Sequence, residues 1–152
     1  MENGRFFEWV PGVDYADLEL PQRQTKAAAG YDLFSIKEVR ITPGNVLLVP
    51  TGVRVKLPVG EFLAIYARSS LAIKRRLMLA NGVGVIDADY YDNPDNGGEI
   101  LIPLFNMGVE EVLLPRGERI AQGIFMNYLT STAEDSFLEK KRVGGFGSTG
   151  DR

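Results

Sequence analysis

Short β-prone runs, each closed by a glycine or proline turn, follow one another along most of this chain. With 17 glycines and 8 prolines spread over 152 residues, the breaks leave little room for long helices. Residues 46–49 (Val-Leu-Leu-Val) run into the turn Pro50-Thr51-Gly52. Residues 53–57 alternate apolar and charged side chains, as a half-buried strand does, and Pro58-Val59-Gly60-Glu61 turns the chain again. Residues 62–67 read as a buried strand, and further β-prone stretches lie within 77–86, 99–105, 112–114 and 120–128. Only residues 69–76 read as a helix, with Ser69 or Ser70 as its cap and Lys74-Arg75-Arg76 at the end the helix dipole favours. The expected architecture is all-β: a single-domain, jelly-roll-like sandwich or barrel with one short helix. The expected domain spans residues 1–138. Residues 139–152 differ in kind, being Gly-rich and basic, and are expected to form a flexible tail.

Two absences restrict the chemistry. The chain has no histidine and no cysteine. That removes imidazole bases, Ser-His-Asp triads, thiolate nucleophiles and His- or Cys-ligated metals. Catalysis at neutral pH must rest on carboxylates, hydroxyls, amides, guanidiniums and backbone groups. A net charge of −3 gives no reason to expect stable nucleic-acid binding. The apolar run at 62–67 is far shorter than a membrane span, and residues 1–10 carry Glu2 and Glu8 rather than a signal pattern. A cytoplasmic protein without a membrane partner is expected.

Five segments stand out in order. They are Ala29-Gly30-Tyr31-Asp32-Leu33-Phe34-Ser35, Ala67-Arg68-Ser69-Ser70-Leu71-Ala72, Gly84-Val85-Ile86-Asp87-Ala88-Asp89-Tyr90, Arg116-Gly117-Glu118-Arg119-Ile120-Ala121-Gln122, and Arg142 with Gly144-Gly145-Phe146-Gly147-Ser148-Thr149-Gly150. Together they resemble the five ordered motifs of the trimeric, all-β dUTP pyrophosphatases (dUTPases). The likeness runs from about residue 29 to residue 150.

That resemblance implies hydrolysis of dUTP to dUMP and pyrophosphate, which keeps uracil out of DNA and supplies dUMP for thymidylate synthesis. It assigns Asp87 as the base that activates water for attack at the α-phosphorus; taken alone, Asp87 also reads as an N-cap or turn residue. Asp89 would face the other way on a strand and is read as structural. Tyr90 would lie against the deoxyribose, or be plain core. Asn81, six residues before Asp87, would read the uracil edge with nearby Val85, Ile86 and Leu101. Arg68, Ser69 and Ser70 read either as a helix cap with a surface ion pair or as a phosphate cradle. Gln122 would meet the α-phosphate. Asp32, otherwise a turn residue, would be a supporting group braced by Arg119. Arg142, Ser148 and Thr149 would close on the outer phosphates, with Phe146 stacked on uracil and Gly147 beside it. Mg²⁺ would be held through the substrate phosphates and waters, with no direct protein ligand. The resemblance also implies a homotrimer with active sites between subunits.

Three departures from the family pattern appear. Residues 91–98 lengthen the third motif and are expected to form a solvated hairpin loop rather than a cation site, despite Asp92, Asp95 and Glu99. Arg142 stands one residue nearer the Gly-Gly pair than the family arginine does, so Lys141 competes with it. Ala67 stands where proline is frequent. Lys74-Arg75-Arg76 reads as a solvated helix face or as local positive potential that steers a triphosphate, and Phe6, Phe7 and Trp9 as core or subunit-contact residues. The alternative functions are a dCTP deaminase or bifunctional enzyme of the same fold, disfavoured because no Thr-Leu-Glu segment matches, and a non-catalytic nucleotide- or protein-binding regulator.

Overall fold

The computed structural model describes residues 4–12, 15 and 17–134. The tail beyond them, with Lys141, Arg142, Phe146, Gly147, Ser148 and Thr149, lies outside the described residues. The strands in order are β1 (Phe6–Trp9), β2 (Tyr31–Phe34), β3 (Val39–Ile41), β4 (Val46–Pro50), β5 (Val53–Lys56) and β6 (Glu61–Tyr66). Helix α1 (Ser69–Arg75) follows, then β7 (Leu77–Leu79), β8 (Gly84–Ile86), a 3-10 turn (Ala88–Tyr90), β9 (Leu101–Asn106), β10 (Val112–Leu114) and β11 (Arg119–Asn127). This is the expected all-β fold.

All pairings are antiparallel and most join distant parts of the chain. One sheet has the order β2-β11-β6-β8 and a second the order β4-β9-β7; β1 pairs β5, and β3 pairs β10. Strands with one wet face show it in their alternation: β9 runs half-buried, buried, half-buried throughout. Leu33, Leu63, Leu77, Ile100, Ile102, Leu104, Leu114 and Ile120 have no exposed surface and make the centre of the core. Each such side chain contributes roughly 1.5–3 kcal/mol relative to exposure. Phe7 and Trp9 take the core alternative, packing on its rim. The Phe7 ring lies 5.5 Å from both Tyr31 and Phe125, and Trp9 stacks on Tyr15 at 4.5 Å.

The helix differs from expectation at both ends. Arg68, not a serine, occupies the N-cap in extended conformation and makes no side-chain cap bond. Arg76 ends the helix in the left-handed region at φ 56°, and its N–H reaches back to Ala72. Nor is the basic triplet simply solvated. Arg75 Nη2 lies 2.6 and 2.7 Å from the two Glu118 carboxylate oxygens, and Nη1 donates to the Leu113 carbonyl at 3.1 Å. That bidentate pair ties α1 to the loop entering β11.

The loop from Tyr91 to Gly98 is also not a solvated hairpin. Its polar composition conceals a packed core of its own, in which Asn93 and Gly98 are buried. Arg54 on β5 lies 2.7 Å from Asp92 and 2.8 Å from Glu8 on β1, and donates to the Gly97 carbonyl at 3.3 Å. The Tyr91 ring lies under Arg54 at 4.1 Å, and its hydroxyl bonds Glu8. Gly98 sits at φ 87°, where an added Cβ would come within 2.8 Å of the Tyr90 carbonyl oxygen and 3.0 Å of that of Tyr91. These neighbours are backbone and cannot swing aside. Gly98→Ala is therefore expected to cost about 2–3 kcal/mol, from left-handed strain plus displaced backbone. Urea denaturation of the two proteins checks this.

Candidate active site

Register, more than sequence proximity, assembles the first cluster. On the four-stranded sheet Gln122 of β11 stands opposite both Asp32 of β2 and Tyr66 of β6. Directly opposed residues share a face, so Asp32 and Gln122 point the same way. Arg119 lies three positions before Gln122, and strict alternation would turn it to the other face. The pairing of β11 with β2 skips a residue between Arg119 and Ala121, and this bulge re-aims the arginine. Its Nη1 lies 3.5 Å from Asp32 Oδ2.

Arg68, two residues past Tyr66, approaches from the strand-to-helix junction, its Nε lying 3.5 Å from Asp32 Oδ1. Asp32 is thus a buried strand residue, 6% exposed, and not a turn residue. It holds two guanidiniums that keep much of their own surface open, 29% for Arg68 and 42% for Arg119. Gln122 is fixed as well. Its Nε2 donates to the Ala67 carbonyl at 3.3 Å, and an added Cβ at Gly30 would fall 2.2 Å from its Oε1. Beside them an open groove of about 360 Å³ is lined by Arg68, Ser70, Lys74, Arg75, Glu118 and Arg119. Ser69 is exposed at the start of the same helix and Ser70 half-buried. Four cations against two carboxylates, Glu118 in the groove and Asp32 beside it, leave this groove an excess of positive charge suited to an anion.

The second group of residues lies on and around β8, the far edge of the same sheet, apart from Leu101, which begins β9 of the three-stranded sheet. Asn81 is exposed on the turn between β7 and β8, where its carbonyl accepts from Val83 N–H at 2.8 Å. Val85 presents its side chain outward, 59% exposed, whereas Ile86 turns into the core. Leu101 is half-buried at the start of β9. Asp87 is half-buried at the N-cap position of the 3-10 turn, extended, without a side-chain cap bond. Asp89 belongs to that turn, so the strand-alternation argument about it does not apply. Tyr90 is core, 4% exposed; its hydroxyl donates to the Glu99 carbonyl at 2.6 Å and accepts from Asn96 at 2.8 Å. A ligand could touch only the remaining edge of that ring.

Within one chain the two clusters do not meet. β8 lies three strand positions from β2, with Gly84 opposite Ile65. At about 4.8 Å per strand, and with Asp87 further along, Asp32 and Asp87 are separated by more than about 14 Å. Arg75, Asn96 and the β11 bulge were not anticipated as parts of the site's support. Glu118 within the fourth segment was the available signal for Arg75; nothing marked Asn96 apart from its neighbours.

Against known proteins, the dUTPase family model matches residues 16–150. The chain belongs to the dUTPase family. The deoxyuridine 5′-triphosphate nucleotidohydrolase of Lactococcus lactis is 43% identical over 146 residues, covering 96% of this chain and 97% of that protein. The enzyme of the same description from Desulfitobacterium hafniense is 43% identical, with 87% of each chain covered. The crystal structure of dUTPase from Streptococcus mutans superposes with a TM-score of 0.76 at 44% identity, covering 82% of this chain and 97% of that one. A phage phi11 dUTPase, reported with a structural Mg(II) ion, shares the fold at 22% identity and a TM-score of 0.71, with 95% and 99% of the chains covered.

As to metal, no three acidic side chains converge among the described residues. Asp32, the buried carboxylate of the first cluster, faces two arginines. The donor set therefore fits no protein-built magnesium cage. It fits an ion carried by phosphate oxygens and water.

Proposed function

We propose that this chain hydrolyses dUTP to dUMP and pyrophosphate. The observation that carries the reading is the arginine pair held on Asp32 with Gln122 in register beside it, in a family of dUTP hydrolases. Arg68, Ser69, Ser70 and Gln122 bind the α-phosphate and its neighbours through charge-assisted bonds, while Asp32 and Arg119 fix that geometry. Asp87 orients a water and takes its proton as the water oxygen bonds the α-phosphorus. The bond from that phosphorus to the bridging oxygen breaks, and pyrophosphate leaves with the electron pair. Mg²⁺, chelated by the triphosphate, would offset charge on its oxygens.

Asn81, with backbone around Val85, Ile86 and Leu101, reads uracil. A cytosine amine would leave buried polar groups mispaired there. Tyr90 walls the sugar and leaves no room for a 2′-hydroxyl. By the family resemblance, residues 139–152 would serve as a tail to a 1–138 domain, with Arg142 or Lys141, Ser148 and Thr149 meeting the outer phosphates and Phe146 and Gly147 the base; these tail residues lie outside the described ones.

We infer that the working unit is a homotrimer with sites between subunits. Two features support this. The phosphate cluster and the Asp87 cluster are too far apart in one chain to hold a single nucleotide's reacting atoms. Across the β4-β9-β7 sheet, Val46 and Met78 flank Phe105 in register, and Val46, Met78 and nearby Leu48 are 54%, 41% and 45% exposed. An apolar row of this kind calls for a partner surface. No helix among the described residues is long and apolar enough to cross a membrane. We also propose a cytoplasmic location and, from the net charge of −3, no stable nucleic-acid binding.

The test incubates the purified protein and Mg²⁺ with dUTP, dCTP, dTTP or UTP, following pyrophosphate, monophosphate and ammonia. The expected outcome is pyrophosphate and dUMP from dUTP alone. Ammonia from dCTP would place the chain among the deaminases. Silence with all four, with dUTP still bound, would make it a binding protein.

A further inference from the structure

The lengthened third motif is built into the wall that the preceding section assigns to the sugar. Tyr90 has its hydroxyl at a junction: it donates to the Glu99 carbonyl at 2.6 Å and accepts from Asn96 Nδ2 at 2.8 Å. Asn96 is itself held, its Oδ1 accepting from Gly98 N–H at 3.0 Å. The loop that presents it is closed by Gly97 N–H on the Asn93 carbonyl at 2.7 Å and by Asn93 N–H on the Tyr90 carbonyl at 3.1 Å. Its outer side is clamped to β5 by Arg54, through Asp92 and the Gly97 carbonyl. Its far end is tied in as well: the Glu99 carboxylate accepts from Gly52 N–H at 2.9 Å, and Ile100 N–H donates to the Val53 carbonyl at 2.8 Å. The two groups on the Tyr90 hydroxyl therefore come from the lengthened loop and the residue just after it, both anchored on the ribbon β1–β5 and the turn before it.

We infer that Asn96 is a positioning residue for sugar discrimination: it fixes the Tyr90 hydroxyl, and through it the ring edge that meets the sugar. This rests on the assignment of Tyr90 to the deoxyribose. A ring pinned at its hydroxyl resists tilting away to admit a 2′-hydroxyl; a ring that has lost the Asn96 bond resists it less. The loop thereby contributes to substrate choice without touching substrate.

The experiment measures kcat/KM for dUTP and UTP on the full chain and on Asn96→Ala, Tyr90→Phe, the double variant and Tyr90→Ala. The ratio of the two substrates cancels any loss of active protein, so a merely structural defect leaves it unmoved. Asn96→Ala is expected to raise UTP relative to dUTP by about fivefold, the worth of one net hydrogen bond. Tyr90→Phe is expected to raise it at least as much, since it removes both bonds of the hydroxyl. The double variant should differ little from Tyr90→Phe, because loss of the hydroxyl already takes away the bond Asn96 makes to it. Thermal melts of each variant establish that the proteins compared are folded. If Tyr90→Ala admits UTP while Asn96→Ala keeps the parent ratio, the inference is overturned and the sugar-wall assignment survives. Additive effects of the two single changes would also overturn it. If Tyr90→Ala still refuses UTP, the assignment of Tyr90 falls and the inference falls with it.

Discussion

Asp87→Asn lowers dUTP turnover by about a thousandfold while dUTP still binds, the loss expected when a general base is removed from an otherwise intact site. The two side chains have nearly the same shape. The amide can still hold a water through one oxygen, but it takes up no proton at neutral pH. Single-turnover hydrolysis and calorimetric titration with dUTP separate the two quantities. Unchanged turnover would remove Asp87 from the mechanism. Loss of binding together with turnover would assign it to substrate positioning instead.

Asp32→Asn should produce a different pattern, with kcat down about a hundredfold and KM for dUTP unchanged or lower. Asp32 is the one group between Arg68 and Arg119, at 3.5 Å from each. Without its charge the two guanidiniums repel and spread, and a displacement of about 1 Å at a phosphate contact costs about 10²-fold in rate. The same change makes the groove more positive, which favours capture of a polyanion. The first effect acts on chemistry and the second on binding, so steady-state kinetics resolve them. A rise in KM at constant kcat would mean that Asp32 serves only to bind.

Much of this arrangement is legible in the residues. β4, β5, β6, β10, β11 and the helix coincide closely with the runs between turns, because alternation and punctuation act locally. β1, β2 and β3 escape that reading. They are three or four residues long, and each is held by a partner far along the chain: β1 by β5, β2 by β11, β3 by β10. Burying Asp32 on β2 contradicts local propensity, and the two arginines that compensate it come from other strands or their ends. The five motifs mark the candidate site residues, and the Asp32–Arg119 contact is among the expectations drawn from them. The bulge that makes that contact geometrically possible does not, since nothing at Ile120 distinguishes a bulged strand from a regular one. The loop at 91–98 misleads for the opposite reason: Asp, Asn and Gly read as solvated, yet here they bond one another and the ribbon beneath. The helix cap misleads likewise, with serines one and two places too late.

The pairing of β2 with β11 has a bearing on biosynthesis. Asp32 and Arg119 stand 87 positions apart, so an emerging chain carries the first half of the phosphate site long before its complement leaves the ribosome. β2 pairs β11 in the four-stranded sheet, so Asp32 lacks its strand partner until β11 is made. Closing so long a loop is slow relative to local structure. Turnover is therefore a stringent report of completed synthesis and folding: a chain stalled or cleaved before β11 should be silent, not slow.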